Sequence, residues 1–204
     1  MNVTLSLSES CLNEIINHYH FSPSDKKELI QLYEEINPYL DGSFDYKIVT
    51  KKGVIKQIER EQCVIVIASL SKQIDDLQNK LQRQGEMLKA YMLDCLALEL
   101  LKAFYEKIGQ YIREKEQYCL EKLDFIGEEY PLELLEEIFT YVKPKNVRYN
   151  KGYQLIPHNS VVFVANLIEK EKAKNQGFHI CEHCKAEKCE YRKSLGSFVD
   201  KGLE

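Results

Sequence analysis

The stretch that most limits the fold runs from Glu86 to about Arg113. Between Ala90 and Tyr105 only Asp94, Glu99 and Lys102 carry charge. A helix that is apolar over most of its circumference has to be covered on several sides. The pattern therefore predicts a central helix with the rest of the chain packed around it. A carboxylate at Asp94 inside such a helix needs a partner or a proton, as a structural acceptor or as part of a site. Glu99 and Lys102, at i and i+3, are expected to pair on the helix's one wet edge.

Around this helix the chain reads as helices, strands, helices, strands. Leu12, Ile15, Ile16 and Tyr19 recur at helical spacing, so 9–20 predicts an amphipathic helix. Ser22-Pro23 looks like an N-cap followed by proline at the first helical position, and Asn37-Pro38 should end the second helix. Tyr46–Thr50 and Val54–Ile58 flank Lys51-Lys52-Gly53, which reads as a hairpin. Cys63–Ala68 is wholly apolar and rich in β-branched residues, the signature of a buried strand. Ser69 or Ser71 can cap the helix that follows, and Gly85 marks its end. Residues 114–124 continue in helical style but more polar. Pro131 opens a helix with Leu132, Leu135, Ile138, Phe139 and Val142 inward, closed by Lys143-Pro144. A second hairpin turns at Asn150-Lys151-Gly152, and Ser160–Leu167 is another apolar strand. Residues 169–178 are a lysine- and glutamate-rich helix or linker. Two hairpins without regular strand–helix alternation argue for an α+β fold. Residues 1–60 are expected to be helices and a hairpin of the same domain, 61–168 its core, and 169–204 a cysteine-containing tail.

The 204 residues, 44% hydrophobic and 29% charged, are enough for one sizeable core. A net charge of −4 gives no electrostatic footprint for nucleic acid or an anionic membrane. No apolar run reaches the roughly 18 residues of a membrane span, and no secretory leader is visible. The expected location is cytoplasmic. Seven cysteines are then thiols or metal ligands rather than disulfides. Cys11, Cys63, Cys95 and Cys119 are scattered and read as small core residues.

Several segments together resemble one family. They are Val64–Ser71 followed by Ile74-Asp75, Met87–Ala97, Gly127–Glu133, Tyr153–Pro157 with Ser160-Val161, and the ending around Cys181–Cys184 and Cys189–Arg192. In order and spacing they are similar to the activation domain of cobalamin-dependent methionine synthase and its stand-alone relatives, over about residues 60 to 192. The resemblance implies a curved antiparallel sheet with flanking helices. It also implies S-adenosylmethionine as a methyl donor to reduced cobalamin carried by a partner. That partner would be a corrinoid-binding methionine synthase module or another corrinoid methyltransferase.

The family's ligand loop reads Arg-x-x-x-Gly-Tyr. Arginine offers a planar fork to a carboxylate, glycine lets backbone approach the ligand, and the ring gives an apolar wall with a polar tip. Here Gly127 matches the glycine, Leu123 stands at the arginine position, and Glu128 follows the glycine. Tyr130 is the nearest aromatic, so Gly127 and Tyr130 are the candidate ligand residues. Glu128 and Glu129 disfavour a ligand carboxylate and favour a sulfonium.

Cys181-x-x-Cys184-x4-Cys189 places three thiols close enough to share one ion. Zinc and an iron–sulfur cluster both suit thiolates, and Lys185, Lys188 and Arg192 would lower the thiol pKa. Surface thiols and a redox pair fit the same spacing. No nucleophile elbow, phosphate-cradling glycine loop or His-Glu-x-x-His is present. The chain thus reads as an accessory to a methyltransferase, without a self-contained catalytic constellation. The alternative is an adaptor on the same fold with a degenerate ligand site.

Overall fold

The computed structural model describes residues 1–173. Its centre is an antiparallel sheet of five strands: β1 (Asn2–Thr4), β2 (Asp41–Val49), β3 (Cys63–Leu70), β4 (Tyr118–Phe125) and β7 (Ser160–Glu169), in the order β1-β2-β3-β7-β4. A separate two-stranded ribbon joins β5 (Arg148–Tyr149) to β6 (Leu155–Ile156). The helices are α1 (Glu9–His18), α2 (Lys26–Ile36), α3 (Lys72–Arg83), α4 (Met87–Glu116) and α5 (Leu135–Val142). The α+β class with an antiparallel sheet is as expected.

Strand β3 explains the layering. All eight of its residues are buried. Successive side chains point to opposite faces, so Val64, Val66, Ala68 and Leu70 join the core under α1, α2 and α4. Cys63, Ile65 and Ile67 join a second core with α5 and the ribbon. Covered on both faces, β3 has to be apolar throughout. Helix α4 supplies the larger core with Met92, Leu96, Leu100, Phe104, Ile108 and Ile112. β2 passes close beneath it: a Cβ on Gly42 would lie 2.6 Å from the Phe104 ring. Only glycine permits that approach.

Four local expectations are corrected. First, residues 54–58 are not a strand. β2 pairs with β3 along its length, from Gly42–Leu70 to Val49–Cys63. The buried strand takes the longer partner, and 50–62 becomes a looped connection anchored by buried Ile55 and Ile58, with Val54 exposed. Second, residues 118–125 are strand β4, not helix. α4 stops at Gln117, whose φ of 61° turns the chain left-handed. β4 is an edge strand with a bulge at Lys122 (φ 43°), where the register slips between Glu121 and Leu123. The bulge puts Leu120 and Leu123 in the same core and erases the period-two signal. Third, Leu132 is exposed rather than inward. It sits in a 3-10 turn ahead of α5.

Fourth, Asp94 and Glu99 of α4 exchange roles. Asp94 is exposed, whereas Glu99 is buried at 6% exposure. Glu99 accepts hydrogen bonds from the Tyr19 hydroxyl (2.8 Å) and from Lys102 Nζ (2.6 Å). The expected pairing with Lys102 holds, but it lies inside the α1–α4 contact. Cys11, Cys63 and Cys95 are buried, as expected of core thiols, whereas Cys119 on the edge strand is only half-buried. Burial pushes Cys11 and Cys95 up to about 12, with Glu99 adding to the rise in both.

Candidate functional site

The turn after β4 carries the residues that the family resemblance singles out. Ile126 holds it to the sheet, donating its N–H to Val162 O at 3.0 Å. The turn then closes on itself. The N–H groups of Glu128 and Glu129 donate to Phe125 O, at 3.3 and 3.1 Å. Gly127 N–H donates to Tyr130 O at 2.7 Å, and Glu129 Oε2 accepts the Phe125 N–H at 2.7 Å. Gly127 has φ +98°, a region that disfavours side chains, and a Cβ there would lie 3.0 Å from Leu132 Cδ2. It is exposed and open to close approach, while Tyr130 is half-buried against the α5-side core.

The two residues before the turn face opposite ways. Leu123 is buried in the helix-side core at 3% exposure. No positive charge arises there. Asp124, also buried, faces the other core and forms an ion pair with Arg60 from the 50–62 connection. A guanidinium thus does reach this end of β4, a position no local pattern foretold, but Asp124 neutralises it. Arg60 Nη1 is buried with no hydrogen-bond partner among the described residues. Behind the turn, Tyr105 of α4 meets Phe125 and Phe163 edge-on, with centroids 6.1 and 5.8 Å away. Burial raises the Tyr105 hydroxyl above its ordinary value, and the Glu128 carboxylate adds to it.

The exposed side of this turn is acidic and carries one aromatic ring. Glu128 supplies negative charge, Gly127 an open backbone, and Tyr130 a ring. An amino-acid carboxylate finds no free fork, because Leu123 is apolar and Arg60 is engaged.

A cleft of about 580 Å³ opens at the same end of the sheet, two strands away. None of residues 123–130 lines it. Its walls come from the start of β2, the β3–α3 junction and the segment from Lys145 to Arg148. No sequence pattern marked it, since its parts lie some 30 to 75 residues apart.

Cys181, Cys184 and Cys189 lie outside the described residues. Among the described residues no cluster of histidine, cysteine, aspartate or glutamate could hold a metal ion. No described helix is long and apolar enough to cross a membrane.

No protein-family model matches the sequence, and no curated protein matches it. Among solved structures, the chain is similar to the MetH reactivation domain bound to AdoHcy. The TM-score is 0.51 at 12% identity, over 87% of this chain and 80% of that one. That likeness establishes the shared fold.

Proposed function

We propose that this protein is a helper for the reductive reactivation of a cobalamin-dependent methionine synthase or a related corrinoid methyltransferase. The observation that carries the reading is the fold shared with a reactivation domain that binds AdoHcy, the demethylated product of S-adenosylmethionine. In this reading Gly127 and Tyr130 hold S-adenosylmethionine, with Glu128 facing its sulfonium. The bound donor supplies a methyl group to a corrinoid carried by the partner module. The chain's own part is positional. Gly127 admits the ligand to the backbone, Tyr130 gives it a wall, and the buried Arg60–Asp124 pair fixes the end of β4 beneath it. The work takes place in the cytoplasm, and Cys181, Cys184 and Cys189 bind zinc or an iron–sulfur cluster.

The test is a reactivation assay on an oxidised corrinoid enzyme with reductant and S-adenosylmethionine. Activity should return faster when the full chain is added. Identical recovery with and without it sinks the proposal. Calorimetry should show S-adenosylmethionine binding that Gly127→Val weakens.

A second reading is favoured by one observation. Leu123 is built into the core, so the ligand loop has lost its carboxylate fork as part of the fold itself. The chain is then a non-catalytic adaptor that keeps the partner surface. Partner binding without any shift of the melting midpoint by S-adenosylmethionine or AdoHcy selects this reading.

A further inference from the structure

We propose that the cleft between the β3–α3 junction and the Lys145–Arg148 segment binds a small phosphate-bearing molecule, gripped by Arg148 and Lys145. This goes beyond the reactivation reading and uses none of its ligand residues. The cleft has charge that its own walls do not neutralise. Lys145 and Arg148 both line it, and neither side chain makes an ion pair or hydrogen bond among the described residues. Lys72 adds a third cation, shared with Asp76 at 2.9 Å along its own helix. The one acidic residue in the lining, Asp41, accepts from Thr4 at 3.3 Å.

The backbone that carries these cations is anchored before any ligand arrives. Lys145 N–H donates to Asp45 on β2 at 3.0 Å. Val147 is buried between them, and Arg148 pairs with Ile156 in the ribbon. Anchored backbone lowers the ordering cost of binding. Facing them is the start of α3, a helix of 12 residues. Ser71 stands at its N-cap but makes no side-chain cap bond, and its hydroxyl donates to Gln73 Oε1. The N–H groups of Lys72 and Gln73 have no acceptor among the described residues. Free first-turn donors beside an arginine fork match the several oxygens of a phosphate group better than the two of a carboxylate. A volume of about 580 Å³ exceeds what a bare ion needs. Val147, Ile156 and Pro157 offer an apolar wall for a ring-sized body.

The test is calorimetry on the full chain with inorganic phosphate, adenosine monophosphate and acetate. Phosphate should bind saturably, the nucleotide more tightly, and acetate more weakly than either. Arg148→Ala should weaken both phosphate probes by about tenfold or more, the worth of one charged hydrogen bond. Lys145→Ala with Arg148→Ala should abolish binding. Both residues are exposed, so these variants should fold. Ser71→Asp provides a second route, since it caps α3 while placing a carboxylate where the phosphate would sit. It should raise the melting midpoint and abolish phosphate binding. Unchanged affinity in the double variant or in Ser71→Asp overturns the proposal, as does acetate binding equal to phosphate. Equal affinity for phosphate and the nucleotide overturns the apolar wall.

Discussion

The turn after β4 and the cleft beside β3 occupy one end of the same sheet, yet they treat their polar groups in opposite ways. In the turn, Gly127, Glu128 and Glu129 direct their N–H groups at Tyr130 and Phe125, and Glu129 folds its carboxylate back onto the Phe125 amide. Its nearest guanidinium, Arg60, is consumed by Asp124. At the cleft, two cations and two helix N–H groups have no partner among the described residues. A loop that satisfies itself is a rigid platform with little left to grip an anion. A cleft whose exposed donors are held only by water keeps them available to an anion. The resemblance to a known family points to the first region, while the electrostatics points to the second.

Four perturbations separate the two regions, beginning with a global baseline. Cys11 and Cys95 have thiols raised to about 12, against 9.0 when unfolded. The folded state disfavours their thiolates, so their stabilising contribution is whole below pH 9 and is lost as pH rises towards 12. Each should cost about 1.4 kcal/mol per pH unit across that window, seen as a falling denaturation midpoint. A flat midpoint would break this account of the α1–α4 core. Next is Arg60→Ala, which removes the main ion pair of the buried Asp124, leaving the longer one with Lys122 at 3.8 Å, and should cost about 3 kcal/mol. Hydrogen exchange should quicken around 123–130 while phosphate binding at the cleft is unchanged, and coupled loss at both would join the two regions.

Gly127→Val should cost about 2 kcal/mol from its left-handed φ and the contact with Leu132. A cost near zero in a urea titration would mean that the turn is not the closed unit described. Smallest is Ser71→Asp, which should stabilise by about 0.5–1 kcal/mol through the missing cap. No gain would mean that the α3 donors are already satisfied.

Much of the fold was legible because burial writes itself into composition. Cys63–Ala68 is covered on both faces, and the α4 stretch buries most of its apolar residues while Leu88, Tyr91 and Leu98 stay exposed. The second hairpin was legible through its turn, where the Asn150 carboxamide accepts the N–H groups of Gly152 and Gln154. β4 was not, because its bulge and exposed edge remove alternation. The candidate turn was found only through the family resemblance, which singles out Gly127 and Tyr130. The cleft was invisible, since Ser71, Lys145 and Arg148 belong to separate local patterns.

The sequence alone determined which segments are interior, where most helices begin and stop, and that Leu123 leaves the family's arginine position without charge. Those properties are local, set by hydrophobicity and by the chemistry of single residues. The tertiary structure alone decided which strand β2 would pair with, that Glu99 rather than Asp94 is the buried carboxylate, and that Arg60 would meet Asp124 across 64 positions. Pairings over such distances depend on the whole packed arrangement. No local pattern encodes which charge is left over once every other one has found a partner.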